Sequence, residues 1–261
     1  MNQPTDLVLV TGHATFKAGV RDVAATVEQG RDWVLLPFQG GEVPFYLEHI
    51  RKGVELAAAN ASALLVFSGG RTRPESGEWS EAGTYRRIAE ARDWWIGDED
   101  PALRASVARR AATEDFARDS FENLLFGLCR FQQVTGAYPR TVTLITWAFK
   151  RARYDLHRSA IRFPSDRFVF LGLNDPVDME SALEGNRRAH QLYLDDPYGT
   201  TGELADKRRQ RNPFHQRHSY DRCPGMEPFF SFMEEGRGSR GAFAGDCPWE
   251  PGEKSREAAH R

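Results

Sequence analysis

Ala63-Leu64-Leu65-Val66-Phe67-Ser68-Gly69-Gly70 is the segment from which the architecture of this chain can be worked out. Its apolar residues do not alternate with polar ones, which is typical of a strand buried on both faces in a parallel sheet. A Gly-Gly turn follows the strand, and Ser80-Glu81-Ala82 then starts a helix with a hydroxyl side chain and a carboxylate. Strand, glycine turn and helix in this order predict a βαβ unit.

Three more apolar runs of the same kind predict further buried strands at Leu7–Thr11, Thr141–Thr146 and Phe168–Leu173. The segments between the strands have helical periodicity. The clearest of them has apolar residues at helical spacing over 121–131, and Gly136 is placed to end that helix. Strands that alternate with helices form right-handed crossovers. We therefore predict an α/β fold, a Rossmann-like three-layer sandwich with a mainly parallel sheet.

The α/β pattern extends over residues 5–175, which we predict to form a Rossmann-like domain. Composition changes at about Pro176, because the remaining chain is rich in Gly, Pro, Arg and acidic residues. Residues 176–261 are predicted to form an irregular C-terminal extension with a disordered tail. The run Trp33–Phe38 is ambiguous, since Pro37 does not suit a central strand. We interpret it as an edge strand or a flap near the site.

Composition and charge argue against several classes of function. A net charge of −2 provides no field that would attract nucleic acid or a membrane surface. The basic run Lys207–Arg211 is interpreted as a solvated or domain-docking face. Three cysteines and the lack of a signal-peptide pattern indicate a reducing compartment. We therefore expect a cytoplasmic protein with a small-molecule ligand and no nucleic-acid or membrane partner, and its oligomeric state stays open.

Polar clusters follow four predicted strands where each strand ends. They are Gly12-His13, residues 68–73, residues 147–153 and Asn174-Asp175. Because the carboxyl ends of parallel strands lie at one edge of the sheet, and ligands bind there at a switch in strand order, these clusters are predicted to form one site. His13 is the side chain best suited to carry a proton near neutral pH. The alternative is that it is an ordinary hydrogen-bonded loop histidine.

The Gly-Gly loop is predicted to bind an anion. Gly69 and Gly70 allow backbone amides to approach a ligand closely. The helix that begins near Ser80 directs N–H groups and a positive dipole to the same place, and Arg71 and Arg73 add cationic donors. Such a site suits a phosphate, a carboxylate or the polar end of a nucleotide. The alternative is a plain strand-to-helix loop in which Ser80 only caps the helix.

A second polar cluster, Asp119-Ser120-Phe121-Glu122-Asn123, starts the next helix. Asp119 as helix cap with Glu122 three residues later is a variant of the capping box. Capping accounts for these two residues and leaves Ser120 and Asn123 unexplained. The cluster therefore carries more polar side chains than capping needs, and we predict that it contributes to the same site.

A third cluster consists of Thr146, Lys150 and Arg153. Lys150 acts as an acid or a base near neutral pH only if its pKa falls by several units through burial or a cationic neighbour. The simpler interpretation is electrostatic, with Lys150 and Arg153 holding anionic oxygens. His157 lies farther along the helix and is interpreted as a packing or solvent residue.

Taken together, the three clusters resemble the YdcF/SanA/ElyC-like family, also called domain of unknown function 218, and are most similar to its fungal and plant-like branch. The resemblance spans about residues 5–175 and implies a Rossmann-like fold, although much of the family has no established reaction. Bacterial relatives tend to have a histidine where Lys150 stands and retain Arg153. The family also contains a member that binds S-adenosylmethionine. The resemblance adds to the site Ser80, Glu81, Glu114, Ser120, Glu122 and Asn123.

The residues and the resemblance together predict an enzyme, a hydrolase or a transferase, that acts on a small phosphorylated or nucleotide-like metabolite. One alternative is a non-catalytic or regulatory binder of a nucleotide-like ligand such as S-adenosylmethionine, and another is a scaffold that works through its C-terminal extension. The cofactor is not determined: S-adenosylmethionine and a divalent cation are both open, and no metal-ligand spacing is present. The predicted catalytic residues are Glu81, Glu122 and His13. The predicted ligand-binding residues are Gly69, Gly70, Arg71, Ser80, Glu114, Ser120, Asn123, Thr146, Lys150 and Arg153.

Overall fold

The computed structural model describes residues 3–236, 238 and 241–250. Within them, strands alternate with helices, and the five longer strands form one sheet in which every neighbouring pair is parallel. The predicted α/β fold with a mainly parallel sheet is confirmed. The strands are β1 (Asp6–Thr11), β2 (Thr15–Phe16), β3 (Trp33–Val34), β4 (Ala63–Ser68), β5 (Ala111–Glu114), β6 (Thr141–Trp147) and β7 (Phe168–Leu173).

Strand order places a switch point at the centre of the sheet. The order is β5-β4-β1-β6-β7, so the chain moves outward from β1 through β4 and β5 and then crosses to the other side of β1. Leu9 in the middle of β1 pairs with Val66 on one side and with Leu144 on the other. The loops after β1 and β6 therefore flank the point where the strand order reverses, which is where open α/β sheets bind ligands.

Helices cover both faces of the sheet. Pro44 lies in the first turn of α2, where its missing N–H costs no intrahelical bond. Helix α5 begins as predicted, with the Asp119 side chain accepting a hydrogen bond from the backbone N–H of Glu122, and it ends at Gly136, whose φ is +76°. The helices are α1 (Val23–Thr26), α2 (Val43–Ala59), α3 (Glu81–Ala91), α4 (Pro101–Arg109), α5 (Ser120–Thr135), α6 (Arg151–Ala160), α7 (Met179–Asp195), α8 (Gly202–Gln210) and α9 (Glu227–Glu234).

Each face of the sheet has its own core. Leu7 and Leu9 of β1 pack in the cluster that contains the apolar residues of α5, whereas Val8 and Val10 pack in the cluster that contains those of α2 and α3. Successive side chains of a strand point to opposite faces. The unalternating apolar runs of the sequence therefore correspond to strands that are buried on both sides.

The chain after residue 176 completes the core on the α5 side. Tyr198, Tyr220, Phe229 and Trp249 are all buried in the same cluster as the apolar residues of α5. Helices α7, α8 and α9 lie in this segment, with irregular connections between them. The predicted disorder of the tail concerns residues that lie outside the described part of the chain.

The ambiguous run Trp33–Phe38 forms a flap and is not an edge strand of the main sheet. Its first two residues pair antiparallel with Thr15 and Phe16 of β2, and a short 3₁₀ turn at Pro37–Gln39 follows. We call residues 33–39 the flap. Among the helices of the described residues, none combines the length and the apolar character needed to cross a bilayer.

Candidate active site

A cleft of about 600 Å³ opens at the carboxyl edge of the sheet, beside the switch point. Its walls come from the loops after β1 and β6, the start of α5, the flap, α7 and α8. The structure thus brings together residues from distant parts of the sequence, as the convergence argument predicts. The predicted site residues that line this cleft are His13, Glu81, Ser120, Asn123, Lys150 and Arg153.

His13 and Lys150 meet at the switch point. The Nζ atom of Lys150 lies 3.3 Å from Nδ1 of His13, and the His13 ring stacks on Trp147 with a centroid separation of 5.6 Å. Burial lowers the pKa of His13 well below its usual value, and the neighbouring Lys150 charge lowers it further. Burial, together with Arg153, also lowers the pKa of Lys150. The imidazole is therefore neutral at pH 7 and able to accept a proton.

The Glu81 side chain packs tightly against the backbone at Gly69 and Gly12. A Cβ atom on Gly69 would stand 2.5 Å from Oε2 of Glu81, and one on Gly12 would stand 2.8 Å from the same atom. The hydroxyl of Thr72 donates to Oε1 at 3.1 Å. Burial raises the pKa of Glu81, and the charge of Arg211 opposes that rise. The carboxyl group is thus held beside the residue that precedes His13, with a raised proton affinity.

Cationic side chains without a carboxylate partner are the main electrostatic feature of the cleft. Five cationic side chains that line the cleft form no ion pair with any described residue. They are Arg73, Lys150, Arg153, Lys207 and Arg211. The Nε atom of Arg153 is buried and has no hydrogen-bond partner in the described part of the chain. Lys207 is exposed and the other four are half-buried, so those four lose part of their hydration without gaining a counter-charge. The cleft therefore favours an anionic ligand.

Two of these cations come from the basic run Lys207–Arg211, which sequence reasoning assigned to a solvated or docking face. Lys207 is exposed to solvent, as that interpretation predicts, but Lys207 and the half-buried Arg211 also line the cleft. Arg208 is buried and docks α8 onto the domain, because its Nε atom donates to Asp119 at 2.6 Å. This ion pair attaches α8 to the start of α5 and so brings the basic run to the site. The basic cluster itself was visible in the sequence, but its position depends on this long-range contact.

The predicted anion cradle at the Gly-Gly loop is wrong, because its backbone amides are already occupied. The N–H of Gly69 donates to the carbonyl of Glu114 at 3.0 Å, and that of Gly70 donates to the carbonyl of Ala117 at 2.7 Å. The first amides of α3 donate to the Gly-Gly carbonyls and to the Ser80 hydroxyl. The glycines serve close packing, since a Cβ on Gly70 would lie 2.8 Å from the Ala117 carbonyl oxygen.

Arg71 and Ser80 also have structural roles that differ from the predicted ligand binding. The Arg71 guanidinium donates to the carbonyl of Gly77 and lies 3.9 Å from the ring centroid of Phe214, outside the cleft. Ser80 caps α3 by accepting from the N–H of Gly83 at 2.8 Å, and its hydroxyl donates to a carboxylate that follows β5. The capping alternative is therefore confirmed for Ser80, and Arg73 rather than Arg71 faces the cleft.

Glu122 is not a cleft residue, which contradicts its prediction as a catalytic group. Its side chain is 1% exposed and accepts hydrogen bonds from the backbone and side chain of Arg118. Arg118 contacts both carboxylate oxygens, and Arg208 approaches Oε1 at 3.4 Å. Two arginines thus neutralise this carboxylate and leave no proton-transfer role for it. Glu122 instead fixes the loop that leads into α5.

Glu114 and Thr146 lie beneath the site and do not line the cleft among the described residues. The Glu114 carboxylate accepts from Ser68 at 2.7 Å, from Tyr220 at 3.1 Å and from two backbone amides. Burial raises the pKa of Glu114 to about 7. Thr146 is also buried, and it accepts a hydrogen bond from Thr11 at 2.9 Å. The predicted ligand contacts of both residues are therefore replaced by support of the strand ends.

Ser120 lines the cleft, but its hydroxyl has a protein partner that sequence reasoning dismissed. The Oγ atom lies 2.8 Å from Nε2 of His157, which is fully buried on α6. Asn123, one turn farther along α5, reaches both the cleft and the Ser68 hydroxyl at 2.8 Å. His157 is therefore a packing residue, as predicted, and it also contacts a side chain of the cleft.

One curated protein similar to this chain is the uncharacterized protein YOR238W of Saccharomyces cerevisiae, which is 26% identical over 84% of this chain and 88% of its own length. No protein-family model matches the chain. No solved structure matches it either. The YdcF-like family assignment therefore stays a prediction, and the argument for function depends on the cleft itself.

Proposed function

We propose that this chain is a YdcF-like enzyme that acts on a small phosphorylated or nucleotide-like metabolite bound in the cleft at the switch point. The observation that supports the proposal best is the set of cleft cations without carboxylate partners, next to a neutral histidine and a carboxyl group of raised pKa. Cations alone would suit a binding protein. Proton carriers beside them favour chemistry on the bound anion.

In this proposal Lys150 and Arg153 bind the phosphate oxygens. The two residues are three positions apart at the start of α6, and both line the cleft. A bound phosphate would supply the counter-charge that Arg153 lacks and would restore the proton affinity that burial removes from Lys150. Lys207 of α8 and Arg211, the residue that follows α8, would add positive charge to the same cleft.

His13 and Glu81 are the proposed proton carriers. His13 is neutral at pH 7, and its Nε2 atom is buried without a hydrogen-bond partner among the described residues. Glu81 has a raised pKa, which suits a carboxyl group that donates a proton to a leaving oxygen. Both residues line the cleft, so both can exchange a proton with a ligand bound there. Glu122, which the sequence predicted as a third catalytic group, has no part in this scheme.

The charge of the cleft favours a phosphorylated substrate over S-adenosylmethionine. That compound carries a sulfonium and an ammonium group beside one carboxylate and is cationic overall, so the unpaired cations favour a phosphate over it. The flap residues Leu36 and Phe38, with Phe149, provide an apolar part of the cleft for a base or another hydrophobic moiety. A nucleotide-like phosphate fits both parts, and we propose it ahead of the regulatory alternative.

The proposal is tested by assaying release of phosphate from phosphomonoesters, nucleotides and sugar phosphates, with and without Mg²⁺. We expect Glu81→Gln and His13→Asn to lose at least about 100-fold in turnover while ligand binding, measured by calorimetry, is retained. Glu75→Gln is the matched control, because Glu75 is an exposed carboxylate at the rim of the same cleft. Turnover that is unaffected by Glu81→Gln and His13→Asn would refute the assignment of roles.

A further inference from the structure

Ser120 and His157 form a second polar pair in the cleft that the scheme above does not use. Ser120 is the first residue of α5, and its Oγ atom lies 2.8 Å from Nε2 of His157. This distance is that of a hydrogen bond between a hydroxyl group and an imidazole nitrogen. Ser120 lines the cleft, whereas His157 lies behind it with no exposed surface.

The His157 ring is held in place and is neutral. It packs edge-on against Phe121 and against Tyr193, whose ring centroid is 4.4 Å away. Burial lowers the pKa of His157 well below its usual value, and Arg153 lowers it further, while Asp119 acts in the opposite direction. In the tautomer with its proton on Nδ1, which is buried and has no partner among the described residues, Nε2 of the neutral ring keeps the lone pair that can receive the serine proton. The pair therefore has the geometry of a nucleophile and its general base.

The surroundings of Ser120 suit an anionic, oxygen-rich electrophile. Arg153 precedes His157 by four residues on α6, so the two side chains lie on the same side of that helix. The backbone N–H groups of Ser120 and Phe121 donate to no protein acceptor among the described residues, in contrast with the occupied amides at the start of α3. These N–H groups, at the first turn of a 16-residue helix, are available to donate to an anionic oxygen beside the serine, and Arg208 neutralises the neighbouring Asp119 carboxylate that caps the helix.

We propose that Ser120 is the nucleophile of a phosphoryl-transfer reaction and that His157 is its base, an inference that depends on the proposed function. The Oγ–P bond forms and the bond from phosphorus to the leaving oxygen breaks. The Oγ proton moves to Nε2 of His157, and Glu81 protonates the leaving oxygen. Water then attacks the phosphorus of the phosphoserine, so that a new P–O bond forms and the P–Oγ bond breaks. His157 returns its proton to Oγ, and the proton of the attacking water passes through His13 to Glu81. Phosphate and the alcohol are the products.

The experiment uses 4-nitrophenyl phosphate as the probe and the full chain. After a rapid acid quench, intact-mass measurement should detect one added phosphoryl group, and peptide mapping should locate it at Ser120. We expect Ser120→Ala to abolish the adduct and to lower turnover by at least about 100-fold. Ser181→Ala is the matched control, because Ser181 is a second serine that lines the cleft. It should leave both signals unchanged.

His157→Gln tests the base, and it should slow formation of the adduct by at least about 10-fold while calorimetric binding of pyrophosphate is unchanged. Because His157 is buried, the thermal unfolding of this variant is measured alongside, and Ser120→Ala decides the matter if His157→Gln does not fold. Turnover without an adduct, or pyrophosphate binding without turnover, would show that Ser120 is not the nucleophile. Either result would still be consistent with an anion-binding site. Failure of pyrophosphate to bind the wild-type chain would overturn the anion site as well.

Discussion

Replacing Glu114 by Gln should change how the stability of the protein depends on pH. The Glu114 side chain has no exposed surface, and both of its carboxylate oxygens accept hydrogen bonds. Burial is the largest influence on this group and raises its pKa to about 7. When protonated, Glu114 can donate to the Ser68 hydroxyl, whose own proton then goes to Asn123 at 2.8 Å. The network can therefore accommodate the neutral acid.

The size of this pH effect follows from the difference between the pKa of Glu114 in the folded protein and its pKa in the unfolded chain. The pKa of about 7 in the folded protein exceeds the ordinary 4.5 by about 2.5 units, which corresponds to about 3 kcal/mol at about 1.4 kcal/mol per unit. Between pH 4.5 and 7 the folded protein binds this proton and the unfolded chain does not. The contribution of Glu114 to the free energy of unfolding is therefore complete below pH 4.5 and is lost as the pH rises to about 7.

The assay is urea denaturation of the wild type and Glu114→Gln at a series of pH values from 4.5 to 8. Buried His13, His49 and His157 have lowered pKa values, so they make the protein less stable as the pH falls below 6.5. These contributions are common to both proteins and cancel in the difference. Relative to Glu114→Gln, the wild type should lose about 3 kcal/mol from the acidic to the neutral end. A difference that is constant over this range would refute the reasoning.

Three further substitutions and one control substitution test the structural roles assigned above. Gly70→Ala should lower the free energy of unfolding by at least about 1 kcal/mol, because the new Cβ would meet a backbone carbonyl at 2.8 Å; Gly185→Ala, in an uncrowded turn of α7, should raise it by about 0.5–1 kcal/mol in the same urea assay. Glu122→Gln should cost about 3 kcal/mol in stability, since it breaks a buried ion pair; an unchanged denaturation midpoint would disprove that role. Arg71→Met should lower the melting temperature measured by calorimetry and leave the affinity for pyrophosphate unchanged. A loss of affinity would show that Arg71 binds the ligand after all.

The parts of the fold that were predictable are those encoded by local pattern. The unalternating apolar runs predicted four of the five strands of the sheet to within one residue. Strand β5 could not be predicted, because its Ala-Ala-Thr-Glu sequence has no apolar run and becomes a strand by pairing with Leu65–Ser68 of β4. The flap was recognised as an alternative because Pro37 excludes a central strand.

The candidate site was predictable in position and less so in its individual residues. Topology brings His13, Lys150 and Arg153 to one edge of the sheet, and sequence order is enough to infer that. Whether a carboxylate is free or paired depends in part on distant residues: Glu122 pairs with Arg118, four positions before it, and also with Arg208, 86 positions away in the chain. The prediction that the Gly-Gly loop binds an anion was wrong for a related reason. Its amides are occupied by carbonyls of the segment after β5, and that strand was not expected.

The contact between Ser120 and His157 could not be predicted either, because it also depends on tertiary packing. Ser120 and His157 are 37 positions apart and belong to different helices. A histidine on a helix with apolar neighbours is more often a core residue than a base, so its pattern gave no reason to single it out. Only the packing of α6 against α5 brings the two side chains together.

The central claim is that the unpaired cations of the cleft bind a phosphate-bearing anion, and calorimetric titration with pyrophosphate tests it most directly. The wild type should bind one pyrophosphate, and at about 100 times its dissociation constant the ligand should add about 2.7 kcal/mol to the free energy of unfolding. Arg153→Met and Lys150→Met should each weaken binding by at least about 10-fold. Arg187→Met, which removes an exposed arginine of α7, should have no effect. Equal affinity in all four proteins, or no binding to the wild type, would contradict the claim.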